Sequence, residues 1–343
     1  MEEKQGLHIE QFRFRDLHPN AFIGTASDRY AGWTGQIYSP DRYGEQITRR
    51  SKRVGGRTFK EAVLPVESVT EYFQHFPVLE LDFTFYRPLL NELREPTQNY
   101  RVLEAYRRYL GENDRLILKA PQAIFAQRLR RGGEFVTNPD YLNPEFFARH
   151  FYEPATAMLG TSIVGFIFEQ EYQPKKDRMP LEEFAAALDV FLEAIPTDDR
   201  YHIEVRTESF LARPYFDLLA KHGVGQVLSH WTWLPPLRRQ YARGGRRFLN
   251  AGNRAVVRLM TPLRVRYEEA YARAFPFNET VPGMMSPGMV EDSVALMLEG
   301  VGQDTLVNVL INNRAGGNAP QIAQEVARRF LEKHSKRGQP GGS

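Results

Sequence analysis

Charged and amide side chains recur where the strand-like segments of this 343-residue chain end. A buried strand tolerates such side chains only where they meet opposite charges, water or a ligand. Because the segments are far apart in sequence, we expect their polar ends to share one pocket that binds a ligand or transfers protons. The residues concerned are Glu80, Asp82, Lys119, Glu169, Glu204, Arg206, Arg258 and Asn313.

Carboxylates in several segments are candidate acid–base groups. Alternation along one segment places Glu80 and Asp82 on the same polar face, opposite an apolar face that must pack on the rest of the protein. Glu204 shares a face with Arg206 in another segment. These carboxylates can act as acid and base, and with Glu169 they could hold one divalent cation. The alternative, that they form structural ion pairs with Arg and Lys, stays open.

Three basic residues are candidates for binding negative charge. Near carboxylates Lys119 stays protonated and suits a phosphate or carboxylate, whereas desolvation alone would make it a base, so we also count it as a catalytic candidate. Arg206 can hold one end of a substrate. Arg258 lies between apolar residues in VVRLM, so its guanidinium requires an anionic partner. Glu204 or Glu169 is the predicted partner.

Further residues are predicted to contact a ligand. Aromatic rings near strand ends can enclose it. His230 can bind a metal or move protons, although a histidine beside Trp231 is also typical of a packed core. Strand alternation sends Glu169 and Gln170 in opposite directions, and we expect Glu169 to face the centre. The full set of ligand-binding candidates is Tyr30, Trp33, Tyr86, Glu169, Arg206, His230, Arg258, Asn313, Gly316 and Gly317.

The two glycines follow the last strand-like segment and precede a helical one. Gly316 and Gly317 allow positive φ angles, and a helix that follows such a turn presents free N–H groups suited to an anion. Capping of that helix by Asn318, with Pro320 in its first turn, explains the same residues.

Eight strand-like segments alternate with eight helical ones along the chain. Eight βα units without a break in composition predict an α/β fold of the (β/α)8 TIM-barrel type, with one domain over residues 1–334 and a disordered tail over 335–343. Long loops after strands 1, 3 and 7 (28–66, 122–142 and 262–287) would lie at the catalytic mouth as lids. The predicted strands are 21–27, 78–86, 115–121, 161–170, 201–207, 224–231, 255–261 and 305–313. The predicted helices are 67–76, 97–110, 143–159, 181–195, 213–222, 237–243, 288–301 and 318–334.

Composition narrows the function classes. The chain has no cysteine, which excludes disulfides, thiolate metal sites and cysteine nucleophiles. Its net charge of +3 gives little support for a nucleic-acid partner. The first residues lack an apolar signal region, and no stretch reaches the roughly 18 apolar residues of a membrane span. We therefore predict a cytoplasmic protein with no membrane partner; its oligomeric state cannot be read from the sequence.

Taken in order, the strand ends resemble those of the YecE-like family. The resemblance spans nearly the whole chain, and it implies a TIM-barrel-like fold. The family has been compared with sugar isomerases, and its activity is not established. The matching pieces are FIGTAS with Tyr30-Ala-Gly-Trp33, Glu80-x-Asp82-x-Thr84-Phe85-Tyr86, Lys119-Ala-Pro121, Glu204-Val-Arg206, VVRLM and Asn312-Asn313-x-Ala-Gly-Gly-x-Ala-Pro320.

Three pieces depart from the family pattern. Ala26-Ser27-Asp28 stands where the family has Ser-Gly-Trp, Asp82 where it has Asn, and Glu169-Gln170-Glu171 where it has Gln and prolines. Two of these changes add negative charge near the mouth. They favour a cation, or a more cationic ligand than that of other family members.

Three functions compete on these observations. The first is an enzyme that acts on a small polar molecule, either sugar-like or phosphorylated and in the second case anionic, by carboxylate acid–base chemistry. The second is a metal-dependent hydrolase of nucleic acid, suggested by the basic runs 49–60, 128–131 and 238–247. The third is a non-catalytic binding or regulatory barrel, since fold alone does not imply catalysis.

Overall fold

Eight parallel strands close into a barrel in the computed structural model of the chain, which describes residues 12–131 and 134–338. Each barrel strand falls on one of the eight predicted segments, with β11 beginning one residue earlier than predicted, so the (β/α)8 prediction is confirmed. The twelve strands of the described residues are β1 Ala21–Ala26, β2 Thr48–Val54, β3 Arg57–Val63, β4 Val78–Leu81, β5 Arg115–Lys119, β6 Arg128–Arg131, β7 Glu134–Thr137, β8 Ile163–Gln170, β9 Tyr201–Val205, β10 Gly225–His230, β11 Arg254–Leu259 and β12 Leu306–Ile311. The barrel order is β1-β12-β11-β10-β9-β8-β5-β4, and β1 pairs with β4 to close it.

Helices follow the barrel strands in each of the eight predicted segments. The third predicted segment is divided by a π-helical turn, Ala148–Tyr152. The helices are α1 Val69–His75, α2 Gln98–Arg107, α3 Gln122–Phe125, α4 Pro144–Phe147, α5 Glu153–Leu159, α6 Leu181–Ala194, α7 Arg213–His222, α8 Leu237–Arg243, α9 Tyr267–Ala274, α10 Pro287–Gly302 and α11 Ala319–Gly338.

The barrel interior is built in layers. A lower layer is apolar and buried, and many of its members lie two residues before a polar strand end, as Val78 lies before Glu80 and Ile117 before Lys119. Because side chains alternate along a strand, the polar residues face inward as the next layer up. The apolar layer consists of Phe22, Val78, Ile117, Ile167, Val227, Val256 and Leu310.

The three long loops contain secondary structure that the sequence did not predict. Antiparallel hairpins β2–β3 and β6–β7 form in the first two loops, and α9 forms in the third. The first hairpin meets α9, where the Tyr271 hydroxyl donates to Oε1 of Glu61 at 2.5 Å and Lys52 lies over the Tyr271 ring. The first and third long loops therefore pack on each other beside the barrel mouth.

One predicted strand boundary is wrong. The second strand was expected over 78–86, but β4 ends at Leu81 and Asp82–Phe85 is a 3-10 turn. A disordered tail was predicted over residues 335–343; α11 continues to Gly338, and residues 339–343 lie outside the described part of the chain. No helix within the described ranges is long and apolar enough to cross a membrane.

Candidate functional site

Arg258 on β11 occupies the centre of the charged layer. It is 1% exposed. Its Nε and Nη2 donate to the two oxygens of Glu80 at 2.8 and 2.5 Å, and its Nη1 donates to Glu204 and lies 3.3 Å from Oε2 of Glu169. Burial would lower the pKa of Arg258, but Glu204, Glu80 and Glu169 raise it above its usual value. Both predicted partners are confirmed, and Glu80 is a third.

Glu169 on β8 joins this centre to two other cations. Its Oε2 accepts from Nζ of Lys119 at 2.7 Å and from Nη2 of Arg206 at 2.8 Å. Although burial alone would raise the pKa of Glu169, Arg206, Lys119 and Arg258 together hold it well below its usual range. Glu169 is therefore an anion at neutral pH. All of its side-chain hydrogen bonds within the described residues use Oε2, which leaves Oε1 available to a ligand.

A cavity of about 660 Å³ lies above the charged layer at the carboxyl ends of the strands. This volume is typical of small-molecule sites. Nζ of Lys119 lies 3.8 Å from the Phe85 ring centroid, and the Arg206 guanidinium lies 4.1 Å from the Trp231 ring, so aromatic groups flank both cations. Of the predicted site residues, Tyr30, Asp82, Tyr86, Lys119, Glu169, Arg206 and Arg258 line the cavity.

Glu80 and Glu204 lie beneath the cavity and do not line it. Both are 0% exposed, and both are bound to Arg258. Burial raises the pKa of Glu80, against the opposing effect of Arg258. The sequence predicted these two carboxylates as acid–base groups facing a ligand. The structure instead encloses them, because the inward strand positions one layer below the mouth are already filled by the Arg258 side chain.

The predicted carboxylate metal set does not converge on one point. Arg258 lies among three of its members, where an ion would have to be. Within the described residues, the acidic and histidine side chains whose potential metal-ligand atoms all lie within 4.8 Å of one another are those of Asp189, Glu193 and His222. Nζ of Lys221 already binds the first two at 2.6 and 2.8 Å, so a cation of the protein holds that cluster together.

Four other predicted residues lie away from the cavity. Trp33 is fully buried, and its Nε1 donates to Oδ1 of Asn313 at 3.1 Å. A Cβ at Gly317, where φ is +111°, would lie 2.4 Å from the carbonyl oxygen of Glu279 in the third long loop. The amide of Val281, in the same loop, donates to the carbonyl of Gly316. The predicted anion site at this turn is therefore covered by the third long loop. Asn313 also caps α11 by accepting from Ala319 N at 2.8 Å.

His230 is a packed residue. It is 3% exposed, and its Nδ1 donates to the carbonyl of Thr261 at 2.8 Å. Burial lowers its pKa to about 4, so it is neutral at physiological pH. It does not line the cavity, which favours the packing alternative over metal binding or proton transfer.

Asp28, which follows β1, lines the cavity but was not among the predicted site residues. It is 1% exposed, and its Oδ1 accepts from the Tyr106 hydroxyl at 2.7 Å. Its Oδ2 is buried without a hydrogen-bond partner among the described residues. Burial raises its pKa to about 6, although Arg29 opposes the shift. The sequence contained a signal for Asp28: it is an acidic residue directly after a strand-like segment, at a position where the chain departs from the family pattern.

This raised pKa predicts a pH-dependent stability difference. Asp28 binds a proton up to about pH 6 when folded, but only up to its ordinary pKa of 3.8 when unfolded. The folded protein therefore loses stability as pH rises between these values, by about 3 kcal/mol in all. Asp28→Asn stays neutral and keeps an oxygen for Tyr106. We expect similar stabilities for both proteins near pH 4, and a variant more stable by about 3 kcal/mol at pH 7.

Urea unfolding of wild type and variant at several pH values measures this difference. Parallel stability curves across pH 4 to 7 would contradict a raised Asp28 pKa.

Comparison with known proteins places the chain in a family. The model of the family described as "Protein of unknown function DUF72" matches residues 22–342. The chain belongs to the DUF72 family. This is the YecE-like family that the strand ends resembled, so the resemblance is confirmed. No curated protein matches the sequence.

Solved structures of DUF72 proteins share the fold. A DUF72 family protein from Enterococcus faecalis is 16% identical, with a TM-score of 0.56 over 91% of this chain and 95% of that one. Another from Thermotoga maritima is 13% identical, with a TM-score of 0.51 over 91% of this chain and 99% of that one. At these identities the similarity shows the fold alone.

Proposed function

We propose that this protein is an enzyme that acts on a small, polar, anionic molecule bound in the mouth cavity. The observation that carries the proposal is the pair of cations at the cavity floor, Lys119 and Arg206. Within the described residues, both cations contact the same carboxylate oxygen, Oε2 of Glu169. Arg206 also lies 3.1 Å from Glu204.

The charge of the whole lining supports an anionic ligand. Eight basic side chains line the cavity, compared with four acidic side chains. Cations that are held in a concave, partly desolvated site attract anions more strongly than they would in open water. Arg314 from the loop after β12 and Arg50 from the first hairpin belong to this basic excess.

Hydrogen-bond acceptors in the same cavity call for a ligand that also carries donors. Asp82 is half-buried, lines the cavity and makes no side-chain hydrogen bond or ion pair with the residues that the structure describes. Glu169 offers its Oε1. Hydroxyl groups of a sugar-like molecule would satisfy both, and aromatic rings such as Tyr30 and Phe85 would cover its apolar face. Asp82 is the carboxylate that we assign to acid–base chemistry from the predicted set.

Loss of ligand-dependent stabilisation in Lys119→Met tests the proposal. Methionine keeps the buried length of the side chain and removes its charge. Because a hydrogen bond to a charged group contributes about 1.5–3 kcal/mol, we expect the affinity for phosphorylated sugars to fall by at least about tenfold. Thermal-shift screening of sugar phosphates, followed by calorimetry on those that bind wild type, measures it.

Lys221→Met is the matched control, because Lys221 pairs with Asp189 and Glu193 outside the cavity. It should leave affinity unchanged. Equal affinity of wild type and Lys119→Met, or no stabilisation of wild type by any small anion, would overturn the proposal.

The two competing functions make different predictions. A metal-dependent hydrolase needs carboxylates that converge on an ion, whereas three of the four candidates converge on Arg258. A non-catalytic barrel would bind the same anion in the same cavity. An enzyme would convert a bound sugar phosphate to product, whereas a non-catalytic barrel would not. NMR spectra of the mixture recorded over time distinguish the two.

A further inference from the structure

Asp28, in the cavity wall, has a buried carboxylate oxygen with no hydrogen-bond partner among the described residues. This oxygen is Oδ2, whereas Oδ1 is held by Tyr106. An ionised carboxylate buried in this way would carry an uncompensated charge. A protonated carboxyl carries none, and its hydroxyl needs only an acceptor. The geometry therefore raises the proton affinity of Oδ2 above that of an exposed aspartate.

Hydrogen bonds on both sides of Asp28 hold its backbone in place. The carbonyl of Asp28 accepts from the Tyr38 hydroxyl at 2.8 Å and from the amide of Tyr30 at 2.8 Å. The amide of the preceding Ser27 donates to the carbonyl of Glu80. With this backbone held in place and Oδ1 bound by the Tyr106 hydroxyl, the carboxyl stays in the cavity wall. Its Oδ2 can find a partner only in a ligand or water there.

We propose that Asp28 is an acid–base residue of this cavity, which holds a proton on Oδ2 and exchanges it with an oxygen or nitrogen of the bound molecule. This inference rests on the proposed function, because it requires a ligand in the cavity. When Asp28 acts as an acid, the Oδ2–H bond breaks, its electron pair stays on the carboxylate, and the proton joins a lone pair of the ligand. A proton from solvent water restores the resting state.

The groups that face Asp28 determine how readily it gives up the proton. A base or acid works best when its pKa is near the operating pH, and the pKa of about 6 at Asp28 meets that condition. Arg29 and the hydroxyl of Tyr106 favour the ionised form, whereas Asp82 opposes it. The charged and titratable neighbours are Arg29, Tyr38, Tyr72, Asp82 and Tyr106.

Asp28 and Asp82 thus have different parts in the same cavity. Asp28 is enclosed and held by a tyrosine, whereas Asp82 is half-buried and unpaired within the described residues. Two carboxylates in contrasting environments are a common arrangement for an acid and a base. The substrate class that fits is a hydroxylated anion, with its anionic group at Lys119 and a hydroxyl or carbonyl oxygen at Asp28.

Proton linkage of ligand binding tests the role of Asp28. Glucose 6-sulfate is a suitable probe, because its sulfate stays ionised across the pH range and does not itself exchange protons. Calorimetry near pH 6.5, in buffers of different ionisation enthalpy, gives the number of protons taken up. An anion bound nearby raises the pKa of Asp28, so wild type should take up about half a proton. Asp28→Asn should bind with uptake close to zero.

Tyr106→Phe distinguishes an acid–base role of Asp28 from a purely structural one, because a structural role would leave the pH dependence of proton uptake unchanged. The Tyr106 hydroxyl lowers the pKa of Asp28, so removing it should shift the midpoint of proton uptake to higher pH. Unchanged uptake in Asp28→Asn, or none in wild type between about pH 5.5 and 7, would overturn the assignment.

Direct titration separates this inference from the proposed function. Carboxyl ¹³C NMR of ligand-free wild type, with Asp28→Asn to assign the signal, should show a midpoint near 6. If the probe does not bind but the midpoint is near 6, the proposed anion binding by the cavity is wrong, whereas the raised proton affinity of Asp28 is supported. A midpoint in the ordinary aspartate range would overturn the proton-holding role whether or not the probe binds.

Discussion

Arg258→Met is expected to destabilise the folded protein by about 3–5 kcal/mol at pH 7. The methionine would fill much of the same space, so the cost comes from charge rather than from volume. Glu80 and Glu204 are 0% exposed and would lose the cation that binds both of them. Removing one partner of a buried ion pair leaves the other charge without compensation. Urea unfolding followed by circular dichroism measures the change.

The same change combined with Glu80→Gln and Glu204→Gln tests that explanation. Neutral amides in place of both carboxylates should recover a large part of the lost stability, because no buried charge remains unpaired. Arg254→Met is the control on the same strand, since Arg254 is partly exposed and pairs with the exposed Asp199; it should cost less than about 1 kcal/mol. If the two Gln substitutions give no recovery, the cost of Arg258→Met does not arise from unpaired carboxylates.

Gly24→Ala is expected to destabilise the protein by about 3 kcal/mol. A Cβ at Gly24 would lie 2.1 Å from the carbonyl oxygen of Val78, its register partner on the neighbouring strand. A backbone carbonyl cannot move aside as a flexible side chain can, so β1 and β4 would have to separate where they close the barrel. Thermal and chemical unfolding measure the loss.

Gly44→Ala is the control for the loss of a glycine as such. No heavy atom lies within 4 Å of a Cβ built at Gly44. We expect a change within about 0.5 kcal/mol for this variant. Equal effects of the two substitutions would show that the close approach of β1 and β4 is not what requires glycine at position 24.

Strand alternation was a reliable guide wherever the chain was in fact a strand. It placed Glu80 and Arg258 inside the barrel and chose Glu169 over Gln170 for the central position, and Glu169 lines the cavity whereas Gln170 does not. These predictions needed only the twofold period of a strand and the cost of burying charge. The eight βα units followed from the same local patterns.

Alternation gave a wrong direction where the strand ended early. Residues 82–85 form a 3-10 turn, so Phe85, which strand alternation would place on the face opposite Glu80, instead lies beside Lys119 at the cavity. The first hairpin, β2–β3, is held by contacts such as that of Glu61 with Tyr271, two residues that lie more than 200 positions apart in the sequence. No local pattern encodes a contact of that range.

The sequence by itself determined the eight βα units, the inward direction of Glu80, Glu169 and Arg258, and the identity of the charges that meet there, because strand period and burial act locally. The tertiary structure decided which of those charges a ligand can reach. Arg258 fills the layer below the mouth and encloses Glu80 and Glu204, whereas Lys119 and Arg206 lie at the cavity floor. It also brought in Asp28, whose raised pKa comes from burial rather than from its neighbours in sequence. Depth within the barrel and desolvation are properties of the whole fold, and only the assembled protein has them.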